Sequence, residues 1–416
     1  MAIIKPFKAL RPRTGLENQV ASRPYDVLNS REAREEAAGN PYSFYHISKA
    51  EIDLPEDVDV HDGSVYQKAA ENLKRFQQEK ILVREAAPCY YIYRLEMHGK
   101  VQTGLSCVSS VHDYEHDRIK KHELTRPEKE QDRINHIATT GAQTGNVFLA
   151  YHAVDETDEL IARWQEVYQP VYDFGTADGV HHSVWIINDA EEIARLTSLF
   201  ALKVPATYIA DGHHRAASAA KVVHALTGPE AEPGSDAWFF LTTLFPDNQL
   251  HIFDYNRVVK DLNGFSVKEF LSALDYAFTV SCTEKTAVKP AAPHEFGMYL
   301  EGKWYELVSR AGTYDTDPIG ILDVTILQKN VLDTLLGIKD PRTDNRIDFV
   351  GGIRGTDELQ KRVDSKEMQV AFTVFPVTMD QLFEIADTGQ IMPPKSTWFE
   401  PKLRDGLLTH LIRDTD

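Results

Sequence analysis

Residues 204–228 read VPATYIADGHHRAASAAKVVHALTG, and they hold the clearest structural pattern in the chain. VPATYIA is a β-branched and aromatic run typical of a buried strand, and the small-residue segment after it favours a helix. Asp211 and Gly212 lie at the junction, where an Asp-Gly turn lets the strand pass directly into the helix. Gly228 and Pro229 predict the end of that helix. The stretch therefore predicts a strand–turn–helix unit with polar residues at the helix start.

The start of this predicted helix indicates an anion site. Its first turn has backbone N–H groups without intrahelical partners, together with the positive end of the helix dipole. Imidazole and guanidinium side chains add further donors, which suits a phosphate or another oxyanion. The predicted phosphate-binding residues are Asp211, Gly212, His213, His214 and Arg215. The alternative is that Asp211 only caps the helix and the side chains after it are solvated. We do not expect zinc, because adjacent histidines project in different directions and zinc pairs usually sit four residues apart.

A charged segment upstream, HDYEHDRIKKHELTRPEKEQDRINHI at residues 112–137, contains the second candidate, KHELTRPEKEQDR at residues 121–133. Proline is tolerated only in the first turn of a helix, so the sequence predicts a helix, a break at Pro127 and a second helix. Glu123 would then be presented from a loop. A carboxylate flanked by His122 and Arg126 has the chemistry of a general base tuned by its neighbours. The alternative is a solvated charge run, which such a composition commonly forms.

Three further segments are rich in polar or turn-forming residues. Residues 340–352 alternate in charge before a Gly-Gly turn, residues 392–402 form a proline-held loop with two lysines, and residues 23–27 form a polar turn. The first two would suit closure over an anionic ligand. We nevertheless interpret all three as structural.

The composition of the 416-residue chain is that of a globular protein, with 42% hydrophobic and 26% charged residues. Its 63 Asp and Glu against 45 Lys and Arg give a net charge of -18, which argues against a nucleic-acid partner. The three cysteines are widely spaced and predict neither a disulfide framework nor a metal knuckle, as in a reducing compartment. The sequence has no long apolar run and no signal-peptide pattern, so we predict a cytoplasmic protein without a membrane partner.

Strands and helices alternate irregularly along the chain, so the predicted class is α+β, or mixed α/β, and not a doubly wound sheet. We expect three regions: residues 1–110, residues 111–285 with an insertion, and residues 286–416. A linker-like stretch at 287–293 marks the last boundary, and residues 89–110 predict a hairpin. The sequence lacks a Walker phosphate loop, a G-x-G-x-x-G turn and a G-x-S-x-G elbow. This disfavours the common nucleotide kinases, Rossmann dehydrogenases and α/β-hydrolases.

The whole chain resembles a bacterial and protist family known as domain of unknown function 1015. The matching landmarks, from residue 23 to residue 407, are RPYDVL, KHELTRPEKEQDR, YIADGHHRAASA, YNRVV, RTDNRIDFVGG and MPPKSTWFEPKLRDGL. The block ADGHHR is also similar to the D-G-H-H-R element of free serine kinases, which belong to the ParB/sulfiredoxin-like superfamily. The resemblance implies a ParB/sulfiredoxin-like phosphate-binding core over residues 111–285, with N-terminal and C-terminal α+β additions.

The resemblance also implies a reaction, the conversion of free L-serine to O-phospho-L-serine with pyrophosphate, ADP or ATP as the donor. Glu123 would be the catalytic base and His214 a second catalytic residue, with a Mg²⁺ ion touched by Asp211 to offset charge. The remaining residues expected in the substrate or donor pocket are Thr125, Arg126, Lys129 and Arg133. Phosphoryl transfer depends mainly on positioning and electrostatics, so this set is chemically sufficient. Two alternatives stay open: a non-catalytic regulatory protein that binds a nucleotide or phosphate, and a phosphate-ester hydrolase with water as acceptor.

Overall fold

A computed structural model describes residues 1–226, 232, 234–283 and 287–413. The chain forms two compact units: Met1–Leu250 together with Pro401–Asp416, and His251–Glu400. The predicted helix end at Gly228 and Pro229 lies outside the described residues. Within the described part of the chain, no helix combines the length and the apolar character needed to cross a bilayer.

The first unit contains the central strand, turn and helix. Its described helices are α1 (Glu17–Val20), α2 (Ser30–Ala37), α3 (Tyr45–Ser48), α4 (Gly63–Gln78), α5 (Val111–Glu115), α6 (Pro127–Thr140), α7 (Asp155–Val167), α8 (Ala190–Lys203) and α9 (His213–Ala225). Its described strands are β1 (Ile4–Lys5), β2 (Leu10–Pro12), β3 (Leu82–Arg84), β4 (Tyr90–Met97), β5 (Lys100–Ser110), β6 (Ile119–Lys120), β7 (Ala142–Gln143), β8 (Val147–Tyr151), β9 (Tyr172–Gly175), β10 (His181–Ile187), β11 (Thr207–Asp211), β12 (Phe239–Pro246) and, near the C-terminus, β21 (His410–Leu411).

A mixed sheet forms the centre of this unit. Its strand order is β6-β11-β8-β12-β5-β4-β10-β9, and β1 pairs with the end of β5. β11 runs parallel to β6 and antiparallel to β8, and β12 runs parallel to β8. The strands β8 and β12 are fully buried, as their nearly continuous apolar sequences predict. Leu149, Ile209 and Leu244 belong to one core cluster together with apolar residues of α9. The sheet therefore fixes where α9 begins.

Helix α9 packs closely on α6. Residues 216–220, which read AASAA, are all buried, and their small side chains allow the two helices to approach each other. The Ser218 Oγ lies 3.1 Å from the carbonyl oxygen of Glu130 on α6. Helix α6 begins at Pro127, as predicted, because a proline at the first helical position has no N–H group to satisfy. This packing holds the segment before Pro127 next to the start of α9.

The segment before Glu123 differs from its sequence-based prediction. The hairpin predicted at 89–110 is confirmed as β4 and β5. The first predicted helix of the charged segment, however, is limited to Val111–Glu115, and Ile119–Lys120 forms β6. The reason is tertiary, because Ile119 and Lys120 pair with β11 and this pairing overrides the local helical preference.

The second unit is built around an antiparallel sheet. Its described helices are α10 (Val267–Leu274), α11 (Asp323–Leu327), α12 (Gly355–Asp364) and α13 (Met379–Asp387). Its described strands are β13 (Ile252–Phe253), β14 (Tyr255–Val259), β15 (Phe278–Thr283), β16 (Glu295–Leu300), β17 (Lys303–Ser309), β18 (Ile347–Gly351), β19 (Val370–Val374) and β20 (Trp398–Phe399). The sheet has the strand order β15-β17-β16-β19-β14-β18, and β13 pairs separately with β20.

The boundaries of the two units differ from those of the three regions expected from the sequence, which are 1–110, 111–285 and 286–416. Strands β15 and β16 both pair with β17, so residues before and after 285 share one sheet. The proline-containing stretch at 287–293 is accordingly a loop within the second unit. Residues 401–416 belong to the first unit, where Asp405 bridges to Ser22 and β21 pairs with β7. The mixed α/β class predicted from the sequence is confirmed.

Candidate phosphate-binding site

The turn between β11 and α9 depends on Gly212. β11 ends at Asp211, α9 starts at His213, and Gly212 between them has a φ of 99°. This is the left-handed region, where a side chain with a Cβ atom is strained. A Cβ atom on Gly212 would also lie 3.4 Å from the Cα atom of Val147 on β8. The glycine thus brings the first turn of α9, with its N–H groups, close to the sheet.

Asp211 is held between two cations. Its Oδ2 atom lies 3.3 Å from Nη2 of Arg215 and 3.5 Å from Nζ of Lys402. Burial favours the neutral acid, but Lys402 and Arg215 outweigh burial and lower the pKa of Asp211 below its ordinary value. The N-cap position belongs to Gly212 and not to Asp211. The simple capping role considered for Asp211 therefore does not describe its contacts.

Arg215 is buried and connects three parts of the site. Besides Asp211, its guanidinium donates to Oδ2 of Asp26 at 3.1 Å and to the carbonyl oxygen of Asn146. Burial opposes its charge, but Asp26 and Asp211 hold the pKa of Arg215 well above the ordinary value. Arg215 thus orients the carboxylates around the turn from within the protein.

A third carboxylate, Asp405 of the C-terminal segment, lies near Arg215 and Asp26. Only 2% of its surface is exposed, and its Oδ2 atom accepts a hydrogen bond from the backbone N–H of Tyr25 at 3.3 Å. Burial raises the pKa of Asp405 to about 7; Arg215 opposes this rise and Asp26 adds to it. Of the three carboxyl groups around Arg215, Asp405 therefore has a pKa near neutral pH.

The contributions of Asp26 and Lys402 differ from the sequence interpretation, which treats residues 23–27 and 392–402 as structural, and Asp405 lies outside both of these segments. The structure brings all three side chains to the turn that follows β11. The signal that points to them is their position within the landmarks RPYDVL and KLRDGL.

Glu123 lies beside the first residue of α9. The ring of His213 is buried, and its Nε2 atom accepts the backbone N–H of His122 at 3.5 Å. Burial, helped by His122 and His214, holds the pKa of His213 well below its ordinary value, so the ring is neutral. Because Nε2 is the acceptor, the ring proton is assigned to Nδ1. This Nδ1 atom faces Oε2 of Glu123 at 3.8 Å, and the Glu123 side chain is 47% exposed.

His214 fastens the loop that carries Glu123. Its Nε2 atom accepts the backbone N–H of Arg126 at 3.0 Å. Burial and the nearby charge of Lys129 lower the pKa of His214, so this ring is also neutral, with its proton on Nδ1. Residues 121–126 lie outside helices and strands, so Glu123 is presented from a loop as the sequence predicts. The two histidines thus bind both ends of this loop to the start of α9.

The residues Thr125 and Arg126 have structural contacts. The Thr125 hydroxyl donates to Glu130, and the other carboxylate oxygen of Glu130 pairs with Lys221 of α9. Arg126 contributes its backbone N–H group to His214, and its side chain is exposed. Both residues therefore stabilise the loop between β6 and α6.

The residues Lys129 and Arg133 line a cavity of about 370 Å³ next to the turn, together with His214. Arg133 pairs with Oδ2 of Asp132 at 2.7 Å, and its guanidinium lies 4.0 Å from the ring centre of Tyr25. Cation–π stacking of this kind fixes the orientation of both groups. Two of the four residues expected in a substrate or donor pocket therefore belong to a cavity wall.

The Mg²⁺ ion implied by the resemblance does not fit the surroundings of Asp211. A divalent ion at Oδ2 would meet the charges of Arg215 and Lys402, which already occupy that side of the carboxylate. Among the described residues, no group of three or more His, Cys, Asp or Glu side chains is arranged to hold a metal ion. The N–H groups in the first turn of α9 are donors of the kind that helix starts offer to anions.

Comparison with known proteins identifies the family. The family model described as "Protein of unknown function (DUF1015)" matches residues 4–325, so the chain belongs to this family. The resemblance drawn from the sequence landmarks is confirmed. No curated protein matches the sequence significantly.

Several solved structures are similar to the chain at low sequence identity. A conserved hypothetical protein from Pyrococcus furiosus is 15% identical, with a TM-score of 0.35, over 71% of this chain and 93% of that one. A free serine kinase in complex with AMP is 13% identical, with a TM-score of 0.35, over 70% and 89%. C-terminally truncated SbnI from Staphylococcus aureus is 12% identical, with a TM-score of 0.39, over 75% and 90%. TM-scores in this range do not establish a common fold.

Proposed function

We propose that this member of the DUF1015 family is a small-molecule kinase that phosphorylates the hydroxyl group of free L-serine. The observation that carries the proposal is the position of Glu123, whose carboxylate lies 3.8 Å from His213 at the start of α9. A helix start binds phosphate, and a carboxylate beside it can accept the proton of an attacking hydroxyl. The similarity of ADGHHR to the D-G-H-H-R element of free serine kinases supports serine as the acceptor. A ParB/sulfiredoxin-like core is part of the same proposal.

The proposed step is a direct transfer of the terminal phosphoryl group of the donor. The serine oxygen attacks the terminal phosphorus, its proton passes to Glu123, and the bond from that phosphorus to the bridging oxygen of the donor breaks. The leaving group departs with the electron pair of that bond. His213 orients Glu123 through its Nδ1–H side, since its Nε2 atom is already an acceptor. The N–H groups of the first turn of α9 and the Nδ1–H of His214 donate to the phosphoryl oxygens.

Lys402 is the cation we assign to the phosphoryl oxygens. Arg215 is buried and is bonded to Asp26, Asp211 and a backbone carbonyl oxygen, so moving it towards a phosphate would break three hydrogen bonds. Lys402 has a flexible stem, and its side chain is 16% exposed. When Lys402 shifts from Asp211 towards a phosphate, Arg215 stays bonded to Asp211.

Pyrophosphate and an adenine nucleotide are the proposed donors. Mg²⁺ often binds through substrate phosphates with few protein ligands, so we propose that any Mg²⁺ enters with the donor and not through Asp211. A cytoplasmic location is part of this proposal, since the substrates are metabolites of that compartment.

The test is formation of O-phosphoserine by the purified protein. Incubation with L-serine, Mg²⁺ and, separately, ATP, ADP or pyrophosphate is expected to give O-phosphoserine, detected by mass spectrometry, with at least one donor. Glu123→Gln should slow its formation by about 10²- to 10⁴-fold, the usual contribution of a general base, with unchanged donor affinity. Glu166→Gln, on the exposed end of α7, is the matched control and should react like the wild type.

Two results would contradict the proposed kinase activity and favour one of the two alternative functions. Release of inorganic phosphate without serine would indicate a hydrolase. Donor binding without any product, unaffected by Glu123→Gln, would indicate a regulatory binding protein.

A further inference from the structure

The C-terminal segment brings two charged residues, Lys402 and Asp405, to the turn that follows β11. Residues 402–404 lie outside helices and strands, so a ladder of backbone hydrogen bonds does not fix where they lie. Leu403 is buried, but apolar burial has no direction. The orientation of the segment therefore depends on polar contacts, and Arg404 makes four of them.

Arg404 is a buried cation, with only 7% of its surface exposed. Its Nε atom donates to Nε2 of His182 at 3.2 Å. Its Nη2 atom donates to Oγ1 of Thr176 at 3.1 Å and to the carboxylate of Asp178. The backbone N–H of Arg404 donates to the hydroxyl group of Tyr93 at 3.2 Å. The residue is thus bonded to β4, to β10 and to the turn between β9 and β10.

His182 and Tyr93 hold Arg404 from the interior of the first unit, where both side chains are buried. Burial, helped by the charge of Arg404, lowers the pKa of His182 to about 3, so the ring is neutral and its Nε2 atom accepts from the guanidinium. The ring proton is then assigned to Nδ1, which donates to the Tyr93 hydroxyl at 2.9 Å. A displacement of Arg404 would leave these buried polar atoms without partners, which is unfavourable.

The anchor at Arg404 restricts the backbone of Lys402. Lys402 comes two residues before Arg404, so their Cα atoms are at most about 7 Å apart even in an extended chain. With the backbone held in place, only the side chain of Lys402 has to be ordered when a phosphate binds. Pre-organisation of this kind strengthens binding, because less freedom is lost on association.

We propose that Arg404 is a positioning residue for binding of the phosphoryl donor and that it acts through Lys402, whose segment it anchors. This inference rests on the proposed function, in which Lys402 contacts the phosphoryl oxygens. The turn between β9 and β10 takes part through Thr176 and Asp178, which hold the outer end of the guanidinium. A purely structural role of Arg404 would change the stability of the first unit and leave the affinity for the donor unchanged.

The test is a double-mutant cycle, in which titration calorimetry measures binding of pyrophosphate to the full chain. Arg404→Gln is expected to weaken binding about three- to tenfold, the usual cost of ordering one long side chain. In a protein that already carries Lys402→Met, Arg404→Gln should weaken binding by less than about twofold, because the residue through which it acts is gone. Arg11→Gln is the matched control, since Arg11 is a largely buried arginine that pairs with Glu85. It should lower the melting temperature and bind pyrophosphate like the wild type.

Asp178→Ala tests the same anchor from outside the core, because the Asp178 side chain is 45% exposed. We expect it to weaken pyrophosphate binding about twofold or more, since it removes one hydrogen bond to the guanidinium. If Arg404→Gln does not fold, Asp178→Ala decides the question.

The proposal is overturned if the wild type does not bind pyrophosphate, if Arg404→Gln and Asp178→Ala bind it like the wild type, or if the effects of Arg404→Gln and Lys402→Met add in full. A parallel assay for O-phosphoserine separates these outcomes from failure of the proposed kinase reaction. Product formed with an unchanged KM for the donor in Arg404→Gln would remove the positioning role and keep the kinase. The expected pattern of pyrophosphate binding without any O-phosphoserine would support the positioning role and remove the serine kinase.

Discussion

Lys402 and Arg215 both contact Asp211, and the buried Arg215 is also bonded to Asp26 and to the carbonyl oxygen of Asn146, whereas the Lys402 side chain is 16% exposed. The phosphate-binding role that we propose is therefore assigned to Lys402. We predict that Lys402→Met weakens pyrophosphate binding about 10- to 100-fold, since a hydrogen bond to a charged group contributes about 1.5–3 kcal/mol. Titration calorimetry measures this directly.

Two variants serve as controls for Lys402. Lys402→Arg keeps the charge and should recover part of the affinity. Lys203→Met removes a surface lysine that pairs with Glu156 on α7, and it should bind pyrophosphate like the wild type. Equal affinity in Lys402→Met and the wild type would contradict the assignment.

Asp405 makes the stability of the first unit dependent on pH. Burial raises its pKa to about 7, whereas an aspartate in an unfolded chain titrates near about 3.9. The folded protein therefore keeps a proton that the unfolded chain has already released. The contribution of Asp405 to the free energy of unfolding is complete below about pH 4, where both states hold the proton. It is lost as the pH rises through about 7. We predict that Asp405→Asn lacks this decline, which has a maximum slope of about 1.4 kcal/mol per pH unit.

Urea unfolding of the wild type and Asp405→Asn between pH 4.5 and pH 7.5 measures the difference, with Asp57→Asn at an exposed position as the control. The free energy of unfolding of Asp405→Asn should rise relative to the wild type as the pH increases. Parallel pH profiles would show that Asp405 is ionised throughout this range.

Local sequence pattern is sufficient to find some residues of the site and not others. Asp211 and Glu123 can be found because a strand end and a proline next to them define where they are presented. Asp26, Lys402 and Asp405 cannot be found in this way. Tyr25 and Asp405 are 380 positions apart in the chain, and only the backbone pairing of the two segments brings them together.

At the scale of elements, the connection between β11 and α9 needs a residue in the left-handed region, and Gly212 adopts this conformation without strain. Gly212→Ala would place a Cβ atom in the left-handed region, 3.4 Å from the Cα atom of Val147. Such strain costs about 1–3 kcal/mol, so we predict a lower melting temperature and weaker phosphate binding. Gly63→Ala is the control, because Gly63 opens α4 without a positive φ and a Cβ atom there meets open space.

The melting temperature, measured by calorimetry, and the phosphate affinity, measured by titration, are compared between Gly212→Ala and Gly63→Ala to test this prediction. If Gly212→Ala behaved like Gly63→Ala in both measurements, the left-handed turn would have no part in forming the site.

Elements with a strong local pattern are predicted well, and elements made by pairing are not. β4, β5 and α6 follow from alternation, a turn and a proline at a helix start. β6 is only two residues long, Ile119–Lys120, and it exists because it pairs with β11. The alternating charges around it favour a helix, so no reading of that segment alone could predict the strand.

At the scale of the whole molecule, the last residues of the chain complete the first unit and not the second. Leu411 is buried in a cluster with Leu10 and Leu82. We predict that Leu411→Ala destabilises the first unit by about 2–5 kcal/mol, the usual cost of this truncation in a core. Hydrogen exchange should increase in β2, β3 and β7, while β14, β16 and β19 keep their protection.

Leu300→Ala in β16 is the matched variant for the second unit, since Leu300 is fully buried there. It should give the reverse pattern of exchange. Increased exchange in both units with either variant would mean that the chain unfolds as one cooperative body and that the two units have no separate stability.

³¹P NMR of the complete reaction tests phosphoryl transfer to serine, with Glu123 as the base, most directly. The sample contains the protein, L-serine, Mg²⁺ and a donor, with Glu123→Gln and Glu166→Gln in parallel. We expect the phosphomonoester signal of O-phosphoserine to grow as the donor signal declines, at a rate about 10²- to 10⁴-fold lower in Glu123→Gln only. Conversion of the donor to inorganic phosphate alone, or equal rates in Glu123→Gln and the wild type, would contradict the claim.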